Sequence, residues 1–262
     1  MYKTILFIFL AGLLGLTACG GRSPGKLPKI SGHRGVSSIA PENTLASLDS
    51  CIKYGVEYME CDVCISKDSV FYVLHDSTLD RTTNGRGLIS EWLSQDIDTL
   101  DAGSWFGAEF KGVRVPRLVD VLRKAKRHNV NITIDYRTGD WRKMMELIRA
   151  EGMEDSCTFT FWDENDVIAF RAFAPEVKTL QAYVKGRAEL DDVVVRLQPN
   201  IAVIRMDSLT HEIVEACRER KLQVLALSLG SKDADAEARK AIELGVDILA
   251  VDQPDQIIKK FR

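Results

Sequence analysis

Leu118-Val-Asp-Val-Leu-Arg-Lys-Ala-Lys-Arg-His-Asn-Val130-Asn-Ile-Thr-Ile-Asp-Tyr136 reads as a helix, Leu118 to His128, running into a strand, Val130 to Tyr136. The same unit recurs downstream. Helix Asp140 to Ala150 leads to strand Cys157 to Phe161, and helix Glu164 to Phe173 to strand Val177 to Tyr183. A helical stretch from Arg187 to Leu197 leads to strand Ile201 to Met206, and helix Leu209 to Lys221 to strand Gln223 to Leu229. Helix Ala234 to Leu244 leads to strand Asp247 to Val251, and helix Pro254 to Phe261 follows. Upstream, a short strand at Ile30 runs into the Gly turn of His33-Arg-Gly35. Asn43-Thr44 caps a helix from Leu45 to Tyr54, with Gly55 just past its end. Parallel strands therefore begin near residues 30, 58, 130, 157, 177, 201, 223 and 247. Eight such units fit an α/β fold of the (β/α)8 TIM barrel type better than an open doubly wound sheet, and no G-x-G-x-x-G follows the first strand. The segment of about residues 77–116 breaks the alternation, with only a weak helical pattern around Ile89 to Leu93. It reads as a small cap inserted after the second strand.

The second strand carries its own extension. Tyr58 to Ser66 is one arm, Val70 to Leu74 the other, and Lys67-Asp68 a two-residue hairpin turn between them. In that register Ser66 faces Ser69 and Glu60 faces His75, with Cβ atoms about 5 Å apart. Alternation puts Asp62 on the same face as Glu60.

The chain opens with the charged Met1-Tyr-Lys3, an apolar run from Thr4 to Leu16, and Thr17-Ala18-Cys19. The run is too short for a stable membrane anchor. Leu-Thr-Ala-Cys is similar to the lipobox of bacterial lipoproteins. Residues 1–18 are therefore expected to be a signal peptide, Cys19 the lipidated residue, 19–27 a tether, and 28–262 the barrel. That places the protein in the cell envelope, on the periplasmic or outer-membrane side, held to the membrane through the lipid on Cys19. Apolar content of 45% and charged content of 28% describe an ordinary globular domain. A net charge of −3 argues against nucleic acid as a partner. Cys61 and Cys64 form a C-x-x-C inside a strand, with no second cysteine or histidine pair nearby, and read as buried thiols. In an oxidising compartment a disulfide is the alternative.

In a (β/α)8 barrel the chemistry sits at the C-terminal ends of the strands. His33 and Arg34 end strand one. Glu60 and Asp62 lie on strand two, with His75 returned by the hairpin. Asp135 and Arg137 end strand three. Three carboxylates without a suitable thiolate prefer a hard divalent cation, Ca2+ or Mg2+. Such an ion polarises a phosphoryl or carbonyl oxygen. An arginine fork matches phosphate oxygens, and two histidines exchange roles as base and acid. The set suits in-line attack on a phosphodiester, and spacing alone leaves a metal-dependent lyase or aldolase open.

The chain resembles the glycerophosphodiester phosphodiesterase family. The matching pieces are His33-Arg-Gly35, Pro41-Glu-Asn-Thr44, Glu60-Cys-Asp-Val63, Lys67-Asp68, His75-Asp76, Leu79-Asp-Arg-Thr-Thr-Asn-Gly85, Leu100-Asp-Ala-Gly103, Val115-Pro116 and Val251-Asp-Gln-Pro254, in the family's order. The resemblance implies a capped (β/α)8 barrel that hydrolyses glycerophosphodiesters to glycerol 3-phosphate and an alcohol. It implies catalytic roles for His33 and His75, phosphate binding by Arg34, and metal binding by Glu60, Asp62 and Asp135. Arg137 is expected to share the phosphate charge. Where the family commonly shows Glu-x-Lys, this chain has Asp135-Tyr-Arg137, with Thr133 as the competing alignment. An aromatic often seen on the family's seventh strand is replaced by Leu225-Ala-Leu-Ser228, which leaves the leaving group open.

Asp76 reads as a residue that orients a histidine or caps a turn, and Glu42 and Asn43 as fixing the first loop. Trp105 and Phe106 line a pocket or pack the cap, and His128 and His211 belong to the outer ring. Two other functions remain in view: a phospholipase C- or D-like enzyme on intact lipids, and a non-catalytic lipoprotein that binds phosphodiesters.

Overall fold

The computed structural model describes residues 25–262. The expected signal peptide, Cys19 and most of the tether lie outside the described residues. At the tether's end, the Gly25 N–H already donates to the Ile242 carbonyl oxygen at 3.1 Å, and Leu27 packs against the core.

The elements run in the expected order. They are β1 (Lys29–Gly32), α1 (Leu45–Tyr54), β2 (Tyr58–Ile65), β3 (Phe71–Val73), the one-turn α2 (Ser94–Ile97), α3 (Leu118–His128), β4 (Asn131–Tyr136), α4 (Trp141–Ala150) and β5 (Cys157–Thr160). Then come α5 (Glu164–Phe173), β6 (Gln181–Tyr183), α6 (Arg187–Leu197), β7 (Ile201–Arg205), α7 (His211–Glu219), β8 (Gln223–Ser228), α8 (Ala234–Leu244), β9 (Ile248–Val251) and α9 (Pro254–Phe261). The strand order is β5-β4-β2-β1-β9-β8-β7-β6, with β3 pairing β2 from outside the ring. The ring closes between β5 and β6 through one parallel bridge, Phe159 to Leu180, and an N–H···O bond of 3.1 Å from Phe159 to Thr179. Eight strands and their helices thus form the (β/α)8 barrel that the alternation predicts.

Alternation along the strands sorts the side chains into two layers. Ile30, Met59, Cys61, Ile132, Phe159, Ile204 and Leu249 face the helices in the large core between ring and helices. Even-numbered residues of β2 and odd-numbered residues of β4 face inward. The interior is apolar beneath β7, β8 and β9, where Ile201, Val203, Leu225, Ile248 and Ala250 pack together. Beneath β4 to β6 it is polar: Thr133, Thr158, Thr160 and Gln181 join in one buried chain of hydrogen bonds of 2.8–3.0 Å. Each polar group there has a partner, so its burial costs little.

Strand β2 outruns the barrel. Its inward face passes from Tyr58 through Glu60 and Asp62 to Cys64, and Cys64 packs with Tyr72, Leu74, Leu79, Ile97 and Leu100 in a second core. That core belongs to the inserted segment, which therefore forms a cap with its own apolar centre. Trp105, Phe106 and Phe110 pack edge to face within the cap rather than lining a site.

The hairpin register differs from the two-residue reading. Val63 pairs with Val73, Cys64 with Tyr72 and Ile65 with Phe71. The Ser66 N–H donates to the Val70 carbonyl oxygen and the Val70 N–H to the Ser66 hydroxyl, and the loop is the three-residue Lys67-Asp68-Ser69, with Ser69 at a left-handed φ of 65°. Asp68 fixes that loop by accepting from the Ser66 hydroxyl at 2.8 Å. A slip of one residue moves every partner. Glu60 is therefore not opposite His75, and the Asp62 carbonyl oxygen accepts from the Leu74 N–H at 3.0 Å instead.

Helix α1 begins with a capping box between Thr44 and Ser47 and ends at left-handed Gly55. Its cap supports the turn after β1. Gly35 has φ +89°, and a Cβ there would lie 2.5 Å from the Ser47 hydroxyl. Gly35→Ala combines a strained φ with damage to the cap, and is expected to cost about 2–3 kcal/mol in denaturant unfolding. An unchanged midpoint would contradict that account.

Cys51, Cys61, Cys64, Cys157 and Cys217 are free and buried. Burial pushes the Cys61 thiol well up and the Cys64 thiol up to about 12. Alternation sends Cys61 to the helix layer and Cys64 to the cap core, so they do not form a bridge. None of these thiols is expected to react with a disulfide reagent within minutes in the native protein, whereas all react once it is denatured.

Candidate active site

The C-terminal ends of the strands open into a cavity of about 450 Å³ lined by His33, Arg34, Glu60, Asp135 and Arg137, among others. Tight turns and paired strands put these groups there. After β1, Arg34 adopts a left-handed φ of 58°. Its N–H donates to Glu60 Oε2 at 2.8 Å and its Nη1 to Glu42 Oε1 at 2.8 Å. Its Nε is buried without a hydrogen-bond partner, 3.4 Å from Asp62 Oδ2. A non-glycine held left-handed with an unpaired buried donor marks a site built for something besides folding.

Parallel pairing of β2 with β4 sets Asp62 directly beside Asp135. Glu60, Asp62 and Asp135 each bring a carboxylate oxygen within 4.8 Å of the others. Thr133, the competing position, also lines the cavity but bonds Thr158 and brings no acid. Burial, then the charges of Asp62 and Asp135, push the Glu60 carboxyl well above the usual carboxylate range. Burial pushes Asp135 up to about 6, with Arg137 pulling it down and Asp62 adding to the rise. Three crowded carboxylates in a partly closed site repel one another unless a cation lies among them. An all-oxygen donor set fits a hard divalent ion and offers nothing to a soft one.

Arg137 answers part of that charge. It donates to Asp62 Oδ1 from Nε at 2.9 Å and from Nη2 at 2.7 Å, and to Asp135 Oδ2 at 2.9 Å. Asn43 Nδ2 donates to Asp62 Oδ2 at 2.8 Å. Asp62 is fully buried with both oxygens engaged, so its position is fixed before any ligand arrives.

Each histidine is held by an aspartate. His33 Nδ1 lies 2.8 Å from Asp252 Oδ1, and Asp252 Oδ2 accepts the Gly230 N–H at 2.7 Å. His75 Nδ1 lies 2.6 Å from Asp76 Oδ1. Arg81 Nε donates to Asp76 Oδ2 at 2.7 Å, and Arg81 also binds Glu42. A carboxylate on Nδ1 selects the Nδ1–H tautomer and leaves Nε2 as the acceptor nitrogen. Arg81 first, and then His75, hold Asp76 down to about 2 against burial. The His33 contact holds Asp252 low. The links His75–Asp76–Arg81–Glu42–Arg34 tie the cap's first turn to the mouth of the barrel. Glu42 and Asn43 thus fix the first loop, Asp76 orients His75, and His128 and His211 are exposed on the outer ring.

Sequence reasoning assigned no role to Asp252, Arg81, Trp162 or Tyr183. Trp162 Nε1 donates to Asp135 Oδ1 at 2.6 Å, and its ring stacks on Tyr183 at 5.3 Å between centroids. Asp252 follows the last strand, so the strand-end rule that found the other site residues would have found it too.

Comparison with known proteins agrees with the geometry. A family model described as the Glycerophosphoryl diester phosphodiesterase family matches residues 33–256. A glycerophosphodiester phosphodiesterase of Caldanaerobacter subterraneus is 27% identical over 236 residues, 88% of this chain and 96% of that protein. A crystal structure of a glycerophosphodiester phosphodiesterase from Agrobacterium tumefaciens superposes with a TM-score of 0.79 at 33% identity, covering 89% of this chain and all of that one. An Oleispira antarctica phosphodiesterase in complex with the product sn-glycerol-3-phosphate superposes with a TM-score of 0.80 at 25% identity, over 89% of this chain and 96% of that one. With the fold, the ordered motifs and the matched length in agreement, the chain belongs to the glycerophosphoryl diester phosphodiesterase family.

Proposed function

We propose that the protein hydrolyses glycerophosphodiesters to glycerol 3-phosphate and an alcohol, with His33 and His75 as acid and base and with a divalent cation held by Glu60, Asp62 and Asp135. The observation that carries this reading is the carboxylate triad, within 4.8 Å, on the same cavity as Arg34 and His33. Bound Ca2+ or Mg2+ would supply polarisation of a phosphate oxygen. Arg34, whose guanidinium lines the cavity, offers it to the phosphate, and Arg137 shares the charge from the β4 side. One histidine takes the proton of the nucleophile as the new P–O bond forms. The other gives a proton to the leaving alkoxide as the old P–O bond breaks. The nucleophile is water, or the glycerol 2-hydroxyl. In the second case a cyclic phosphate forms first and water opens it.

Leu225, Leu227 and Leu229 line one wall of the cavity, which is the observation that favours intact lipids. The rest of the rim carries arginines, Tyr183 and Trp162, which is hydrogen-bonded to Asp135, rather than an apolar collar, and this supports small deacylated diesters. The test is release of glycerol 3-phosphate from glycerophosphocholine by residues 20–262, with EDTA and then with Ca2+ or Mg2+ restored. Release that stops with EDTA and returns with one ion is the expected result. No release from folded protein, or release indifferent to EDTA, overturns the reading. The address belongs to the same proposal: lipid on Cys19 holds the enzyme in the cell envelope, and Cys19→Ser is expected to move it from the membrane fraction to the soluble one.

A further inference from the structure

The cavity has two halves of different character. On β1, β2 and β4 it carries the carboxylates and Arg34. On β5 to β8 it carries Trp162, Tyr183, Arg205 and three leucines, none of which the proposed chemistry uses. Trp162 and Tyr183 are 59% and 38% exposed, yet their rings stack with planes 28° apart. The Arg137 guanidinium lies 5.3 Å from the Trp162 ring centre, so the aromatic wall already has a cation on it. Arg205, at the end of β7, has a side chain 66% exposed, and its ion-pair partner among the described residues is Asp207 at 3.5 Å, itself 69% exposed. A pair so solvated holds its members weakly, which leaves the Arg205 guanidinium free to meet a ligand.

We propose that this half is the leaving-group subsite, and that it takes a polyol carrying an anionic group, such as a second phosphate, in preference to a quaternary ammonium. The inference rests on the phosphodiesterase reading and names the substrate class of that site. With the reacting phosphate between Arg34 and the carboxylates, the departing alcohol extends over the β5–β8 wall. Stacked aromatic faces and the leucines cover a carbon skeleton, and Arg205 pairs with an anion beyond it. Aromatic faces alone would attract a quaternary ammonium. Here that cation would share the wall with Arg205, while Arg137 is already paired with Asp62 and Asp135. A like charge in such partly desolvated surroundings costs enough to discriminate about tenfold.

The experiment compares kcat/KM for bis(glycerophospho)glycerol, glycerophosphoglycerol and glycerophosphocholine in the wild type, Arg205→Gln and Arg205→Glu. The wild type is expected to prefer the substrate with a second phosphate over the choline ester by about tenfold or more, with the neutral polyol between. Arg205→Gln is expected to shrink the ratio and Arg205→Glu to invert it, and added salt to shrink it as well. Arg205 is exposed, so its variants fold. Tyr183→Ala is expected to weaken the neutral polyol through KM. A wild type that prefers the choline ester, or a ratio that Arg205→Glu leaves unchanged, overturns the subsite while leaving the phosphodiesterase reading intact. No turnover of any of the three esters by folded protein removes both.

Discussion

His75→Ala and His33→Ala are each expected to lower kcat on a glycerophosphodiester by about 10²- to 10⁴-fold, the range associated with a positioned acid or base. The two side chains sit on separate elements, after β1 and after β3, yet each is fixed the same way. Nδ1 faces an aspartate whose second oxygen is itself bound, by Gly230 for Asp252 and by Arg81 for Asp76. That arrangement supports a matched pair in which Nε2 does the work on both sides. The scheme makes a second demand on the measurement. The pH profile of kcat/KM is bell-shaped, and each single variant loses a different limb. Near-normal rates from both variants, or loss of the same limb from both, would sink it. Asp252→Asn and Asp76→Asn are expected to cost about tenfold or more in kcat with KM nearly unchanged, since they disturb orientation rather than remove the group.

Asp62→Asn is expected to lower activity by at least about 100-fold and to abolish the rise in Tm that the proposed site predicts for the wild type with Ca2+ or Mg2+. The reason lies in the crowding around one side chain. Asp62 is fully buried and takes bonds from Arg137, Asn43 and the region of Arg34. Asparagine keeps the shape but removes a charge that two arginines face. Asp62→Ala goes further, taking from Asn43 its Asp62 acceptor and leaving Arg137 with Asp135 alone, at about 3–5 kcal/mol of stability. Thermal unfolding with and without the ion separates the two effects. An Asp62→Asn protein that still gains stability from Ca2+ or Mg2+ would remove this carboxylate from the ligand set.

The barrel was legible because its strands and helices differ in period and because its charged residues stop at strand ends. His33, Arg34, Glu60, Asp135 and Arg137 all reach one cavity, with Asp62 buried among them. The hairpin register was not legible. It turned on Ser69 adopting a left-handed backbone that its side chain does not announce, with Asp68 and Ser66 bonding around the loop. Asp252 stood at a strand end and could have been singled out, but its partner, a histidine 219 residues earlier, was not legible. Such contacts depend on which strands become neighbours, and local pattern says nothing about that. The Arg137 expectation of phosphate binding gains a second aspect in the structure: its guanidinium already neutralises Asp62 and Asp135. The cap was visible only as an interruption, because its order comes from a small core shared with Cys64, Tyr72 and Leu74 rather than from regular elements.

The closure between β5 and β6 makes the barrel a ring with one soft joint. Elsewhere neighbouring strands are pinned by two or more partnered residue pairs, from two between β1 and β2 to six between β2 and β4. At the joint one backbone bridge and one flanking backbone bond do that task, helped by side-chain bonds of Gln181 with Thr158 and Thr160. Amides of β6 are therefore expected to exchange with solvent fastest among the barrel strands, and those of β2 and β4 slowest. The joint lies under the stacked Trp162 and Tyr183, one from each side of it. An opening of the ring there would change the distance between those two rings and leave the carboxylates on the opposite arc at their spacing. The half of the cavity with the carboxylates is thus the better braced, and the aromatic half is the one expected to give.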